Sequence, residues 1–283
     1  MVATGKLGNN VVEAINMADS TTSCNSLPPY PKDVRQAIGI MINDVPIIGG
    51  GQSPAILEEV YKLDYHGNSW VLLGNMAKPR MQHAVAELNG GAWVMGGFSS
   101  NSWASLENST EIIYANGIIL NGPDLPETRS RHCALTLPYG KVVIMGGRTS
   151  QSVLSKDVLI YDPSTSTYTS GPHMLYEHEH FACVHFYSDK HGGRPVILSA
   201  GGVSNYKAEI YDYTSGNGIW EQSKLAIFIK PLFDLFEPIL DLFKTIWTSP
   251  KQIGSVQNCF GPNPIEGQGM SQLILKNRLF YFF

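Results

Sequence analysis

GGGQSPAILEEVYKLDYHGNSWVLLGNMAKPRMQHAVAELNGGAWVMGG, residues 49–97, opens and closes on glycines, and the order of what lies between them decides the fold. The pair Gly49-Gly50 ends the apolar run Ile47-Ile48, and a polar loop leads to Glu59-Val60-Tyr61-Lys62-Leu63-Asp64. A turn at His66-Gly67-Asn68 precedes Trp70 and Leu72-Leu73; Met76, Pro79-Arg80 and His83 then introduce Ala84-Val85-Ala86-Glu87-Leu88. Asn89-Gly90-Gly91 turns the chain into Trp93-Val94-Met95 and the pair Gly96-Gly97. Four short runs rich in Val, Tyr and Trp, punctuated by Gly, Asn and Pro, read as one four-stranded antiparallel sheet.

The same order recurs. Gly146-Gly147 follows Val143-Ile144-Met145 and Gly201-Gly202 follows Ile197-Leu198, so the second glycines are spaced by 47 (97−50), 50 (147−97) and 55 (202−147). Gly90-Gly91 and Gly192-Gly193 lie in polar turns ahead of apolar runs and fall outside the series. Near-constant periods of this length mark a repeat architecture. Each later copy keeps parts of the unit: Glu111-Ile112-Ile113-Tyr114, Asp157-Val158-Leu159-Ile160-Tyr161-Asp162, and Glu209-Ile210-Tyr211-Asp212 with Trp220. The step from Arg80 to His83 is repeated from Arg129 to His132.

With its glycine pairs, Tyr-Asp strands, Trp beside Asn and Gly, and Pro-Arg-x-x-His-Ala ahead of an apolar run, the chain resembles the kelch-repeat family. The resemblance implies an all-β propeller of five or six four-stranded blades, one repeat per blade, with clear repeats over 36–223 and one domain over 1–283. A propeller must hide its last sheet edge, and the chain ends suit this task. Val11–Ile15 and Thr22–Pro28 read as the outer two strands of a closing blade, Gln272–Leu275 and Leu279–Phe283 as its inner two, within 8–28 and 269–283. Between them, 226–268 reads as a degenerate blade or an insertion. Leu232, Leu235, Phe236, Ile239, Leu242, Phe243 and Ile246 are spaced by three and four, which predicts a helical or irregular insertion near 226–250 that Pro238 interrupts.

A net charge of −4 with 16% charged residues argues against a basic nucleic-acid-binding face. No stretch of eighteen apolar residues offers a membrane span, and membrane contact is not expected. The first residues lack the apolar core of a signal peptide, so a cytoplasmic monomer is expected, with secretion as the alternative. Cys24, Cys133, Cys183 and Cys259 show no C-x-x-C; Cys133 and Cys183, on first strands of neighbouring blades, are expected to be reduced core thiols, with a disulfide as the alternative. Asn108-Ser109-Thr110 is a glycosylation sequon for a secreted chain.

Recurrence assigns Tyr61, Tyr161, Tyr211, Trp70 and Trp220 to packing between sheets. His83, His132 and His180 are read as sharing one blade position. His178 and His180, two apart, would face one way on a strand and are weak metal candidates; no cofactor is expected. There is no G-x-S-x-G, no phosphate-cradling loop and no H-E-x-x-H. The loops after the second and fourth strands emerge on one face, and loops on a rigid scaffold carry function. They offer Arg131, Arg148, Trp103, Tyr206, Asn101 and His173, together with Arg80 and Arg129, which sit where the family has a structural arginine. Arginines from neighbouring blades would suit an acidic protein or peptide. The resemblance thus implies a non-enzymatic binding module, including substrate recognition for a ubiquitin-ligase adaptor. The alternatives are a copper-dependent sugar oxidase and a secreted carbohydrate- or matrix-binding propeller.

Overall fold

Strands that are apolar along their whole length stand next to strands that alternate with polar residues, and the two kinds occupy different places in each sheet. The computed structural model describes residues 2–3, 10, 12–15, 24–203, 207–214, 218–223, 271–275 and 278–282. The expected insertion within 226–268 lies outside these described residues.

Three strands come first: β1 (Val2–Ala3), β2 (Val12–Ile15) and β3 (Cys24–Leu27). Blade I then comprises β4 (Ile38–Ile42), β5 (Val45–Gly49), β8 (Glu59–Asp64) and β9 (Ser69–Asn75), with a hairpin of β6 (Gln52–Ser53) and β7 (Ala55–Ile56) in its central loop. Blade II holds β10 (Ala84–Leu88), β11 (Gly91–Met95), β12 (Thr110–Ile113) and β13 (Ile119–Asn121). Blade III holds β14 (Cys133–Thr136), β15 (Val142–Met145), β16 (Val158–Asp162) and β17 (Thr167–Ser170). Blade IV holds β18 (Ala182–Ser188), β19 (Arg194–Ala200), β20 (Ala208–Tyr211) and β21 (Trp220–Gln222). Each is a four-stranded antiparallel meander, the blade unit of a β-propeller.

β11 and β15 are buried along their whole length, so they read as unbroken apolar runs, whereas the outermost β17 is largely exposed and reads Thr-Tyr-Thr-Ser. Two-residue turns at Asn43-Asp44 and Asn89-Gly90, all at positive φ, set the register of the first hairpins.

The repeat is out of phase with the reading of one sheet between successive glycine pairs. Each pair lies inside a sheet, after its second strand, so Glu59–Asp64 pairs back onto β5, and Ser69–Asn75 onto Glu59–Asp64, instead of forward onto β10. In blade I the pair itself is Gly50-Gly51. These two have φ of 65° and 89°, matching Gly96 and Gly97 at 62° and 86°, while Gly49 closes β5 in the register of Met95 and Met145. The first spacing is therefore 46 (97−51). Three consecutive glycines concealed the offset, because only the backbone shows which two are left-handed.

The second glycine of a pair approaches the next blade's entry segment. Gly51, Gly97 and Gly147 donate their N–H groups to the carbonyls of Arg80, Arg129 and His178, at 2.7, 2.9 and 2.7 Å. A Cβ at Gly147 would lie 2.3 Å from the Ser130 carbonyl oxygen. Gly147→Ala is expected to lower stability by roughly 2–3 kcal/mol, adding a backbone clash to left-handed strain. Gly140 has almost the same φ, 81°, but open space around its Cβ direction. Gly140→Ala measures the conformational part alone, so equal thermal shifts for the two variants would refute the steric account.

The chain ends form a five-stranded sheet with β22 (Ser271–Leu275) and β23 (Arg278–Phe282), in the order β23-β22-β1-β2-β3. The expected outer and inner pairs are both present, but they do not meet directly. β1 stands between them, with Val2 opposite Glu13 on one side and Leu273 on the other.

Apolar packing runs across the inner strands of all four blades, through Ile38, Val85, Cys133, Val143 and Ile197. The recurring aromatics fill the gaps between sheets, as expected. Trp93 meets Tyr161 of the next blade at 5.0 Å, and the indole N–H groups of Trp70 and Trp220 donate to the carbonyls of Pro28 and Pro172.

The expectation of reduced core thiols is corrected. Cys133 and Cys183 form a disulfide between β14 and β18, with Cα atoms 6.1 Å apart. Inner strands of adjacent blades converge, so residues one register position apart face each other. The corresponding positions between blades II and III hold Ala84 and Ala134 in one apolar cluster.

Candidate functional site

Gln36, Gln82, Arg131 and His180 open the four blades with φ between 52° and 58°. They are chained through the backbone: Gln82 N–H donates to Gln36 O (3.4 Å), Arg131 N–H to Gln82 O (2.8 Å) and His180 N–H to Arg131 O (3.0 Å). This tie around the inner ends of the blades fixes where the neighbouring side chains start.

Two residues earlier stands a buried wall of nitrogen donors. Arg80, Arg129 and His178 are each at most 1% exposed, and each donates to the carbonyl of its blade's first glycine: Gly96 O at 2.9 Å, Gly146 O at 2.6 Å and Gly201 O at 2.7 Å. Arg80 also pairs with the buried carboxylate of Glu111, while Arg129 pairs with Glu127. Both arginines are loop-face candidates by sequence; their burial makes them framework. His178 replaces the arginine, with Nδ1 on Gly201 O and Nε2 on Glu209 Oε1 at 3.0 Å. Its ring is thereby engaged at both nitrogens. His178 and His180 lie in a loop, not on a strand, and His180 belongs with Arg131, one residue off the shared position expected for it. The residue equivalent to His83 and His132 is Phe181. Among the described residues, no group of three His, Cys, Asp or Glu is placed to hold a metal ion.

Three of the expected loop-face residues do converge. Arg131 and Arg148 of blade III lie over the indole of Trp103, which the long loop of blade II delivers, at 5.3 and 5.8 Å. Phe98 meets the same indole edge-on at 5.0 Å. The organiser is Glu179, which the sequence reading missed. Its buried carboxylate accepts Arg131 Nη1 at 2.8 Å and Arg148 Nε and Nη2 at 2.7 and 2.9 Å. Gln82 Oε1 takes Arg131 Nε at 2.8 Å, so that guanidinium is held from two blades. Two guanidiniums against one carboxylate leave one positive charge in excess. His180 adds none near neutrality: burial, then the Arg131 charge, push its pKa down to about 3.

Asn101 anchors the other end of the Trp103 loop. Its side-chain oxygen accepts from Gln52, whose own amide oxygen accepts Arg35 Nε and Nη2 at 3.2 and 2.8 Å. The blade II loop therefore spans from blade I to blade III across this face. Arg35 was also missed; aligning Val34 with Arg80 and Arg129 would have placed it in the neighbouring slot, alongside Met81, Ser130 and Glu179. His173 is 74% exposed and pairs with Asp157 at 2.9 Å. Tyr206 lies outside the described residues.

Four-stranded blades joined by inter-blade glycine contacts, with connectors gathered on one face, define a repeat β-propeller. The kelch motif matches residues 129–175, which is blade III with its entry segment. An F-box/kelch-repeat protein of Arabidopsis thaliana is 26% identical over 166 residues, covering 53% of this chain and 44% of that protein, so the match spans less than half of the relative's length. Among solved structures, that of YjhT is similar in fold, with a TM-score of 0.57 at 19% identity over 70% of this chain and 67% of that one. The chain thus carries a kelch motif in blade III and is similar to kelch-repeat proteins.

Proposed function

We propose that the chain is a non-enzymatic interaction module that binds a protein or peptide bearing an acidic segment on its loop face. One observation carries the reading: Trp103, Arg131 and Arg148 are brought from two blades to one point and held there by Glu179. Rigid aromatic and guanidinium groups are the usual anchors of interfaces, and preformed contacts reduce the ordering cost of binding. Arg35, with an amide for its partner, adds a third guanidinium to the face. The kelch motif and the F-box/kelch relative support protein recognition, and the name of that relative makes substrate recognition beside a ubiquitin-ligase adaptor the role to test first. In this reading the chain is a cytoplasmic monomer, its ring closed by the sheet of the two chain ends.

The test is a peptide array graded in Asp and Glu content, probed with the full chain and with Arg131→Glu. Binding that rises with acidic content and falls roughly tenfold or more in the variant is expected. Equal binding by the two proteins, or no preference for acidic peptides, would remove the loop face from the proposal.

A further inference from the structure

From its position, we infer that the Cys133–Cys183 disulfide is a redox control on the loop face. It joins the same two chain stretches that build the Arg131–Glu179 anchor. Arg131 lies two residues before Cys133, and Glu179 and His180 lie just ahead of Cys183. Those stretches are joined by three links in succession: the 2.8 Å ion pair, the 3.0 Å bond from His180 N–H to Arg131 O, and the disulfide beneath them. The first two are reversible hydrogen bonds; the third alone can be cut by a reductant. Between blades II and III the corresponding positions, Ala84 and Ala134, hold no sulfur and share one apolar cluster.

The switching step is thiol–disulfide exchange with a dithiol reductant. A reductant thiolate attacks one cysteine sulfur and the other leaves as a thiolate, which takes up a proton. The reductant's second thiolate then attacks its own sulfur in the mixed disulfide. That step frees the remaining cysteine, and the reductant leaves as a cyclic disulfide; two electrons pass to the protein. Cys133 and Cys183 are 0% and 3% exposed, so attack requires blades III and IV to part, as the switch itself does. A pair of this kind in a reducing compartment is redox-sensing in character. That setting rests on the cytoplasmic reading above; the structural coupling does not.

Hydrogen exchange on the full chain, oxidised and then treated with dithiothreitol, tests the inference without any partner. Peptide mapping should show the Cys133 and Cys183 peptides linked before treatment only. On reduction, exchange across 129–133 and 178–183 should quicken about tenfold or more, with 38–49 unchanged. The double variant Cys133→Ala/Cys183→Ala recreates the pair found between blades II and III; it should exchange like the reduced protein and ignore dithiothreitol. Absence of the linked peptide, unchanged exchange on reduction, or equal loosening of blade I would each overturn the proposal.

Discussion

Arg80→Ala is expected to cost about 3–5 kcal/mol, because it strands a buried carboxylate. The guanidinium donates to Gly96 O, Ser109 O, Ser109 Oγ and Glu111 Oε1, at 2.9, 2.8, 3.0 and 3.1 Å, and side-chain exposure is 1% for Arg80 and 3% for Glu111. Glu111 also accepts the N–H of Ala77 at 2.6 Å, so this one pair locks the entry loop to the third strand of blade II. Without the arginine, Gly96 O loses its guanidinium donor, Ser109 O keeps only the Gly96 N–H, and Glu111 must either ionise in a dry site or take up a proton. Blade III shows the alternative solution: the residue in the register of Glu111 is Leu159, and Arg129 finds its carboxylate at Glu127. Adding Glu111→Leu to Arg80→Met should therefore recover part of the loss, since an apolar replacement of both partners removes the stranded charge. Urea unfolding followed by tryptophan fluorescence gives the comparison. A single-variant loss below about 1 kcal/mol would show that water reaches Glu111 and that the wall is not dry.

Much of this was legible in residue order, and the failures share a cause. Glycine pairs, Tyr strands and Trp positions announced the blades because each meets a local demand: positive φ, a half-buried pleat, a gap between sheets. Phase was harder. A meander reads the same from either side of the glycine pair, and Gly49-Gly50-Gly51 offered two registers where only backbone angles choose between them. His180 was placed one residue off because His178 had already taken the arginine's place, which shifted the apparent step from Arg-x-x-His to His-x-His. Arg131, Arg148 and Trp103 were found by residue type on the loop face, yet nothing local marked Glu179 as their organiser. That role depends on blades III and IV lying side by side, a relation between residues 31 and 48 positions apart. The disulfide stands only as the alternative by sequence for the same reason: its cysteines are 50 residues apart, and only the convergence of inner strands brings them together.

That His-to-Phe offset bears on the acid limit of the fold. His83 and His132 sit as wedges at the blade entries, 5% and 6% exposed, where blade IV uses Phe181. Burial, then the Arg80 charge, push the His83 pKa from 6.5 to about 3, with a small opposing effect from the Gly49 backbone. His132 is pushed well below 6.5 by burial, then by the Arg129 charge. Both rings are thus neutral in the folded chain and titrate normally when unfolded. A folded value below the unfolded one means that the unfolded state binds the proton first. The contribution is therefore fully present above about pH 6.5 and is lost as pH falls towards 3. At pH 5 the His83 ring alone costs about 2 kcal/mol, and His132 adds to the loss in the same direction, a notable share of the stability of an ordinary domain. Melting temperature should accordingly fall steeply between pH 6.5 and 4. His83→Phe/His132→Phe, which copies the solution of blade IV, should flatten that slope by about two protons, while stability near pH 8 changes much less. An unchanged slope in the double variant would mean that both histidines already titrate in the folded protein, and that water reaches the wedges between the blades.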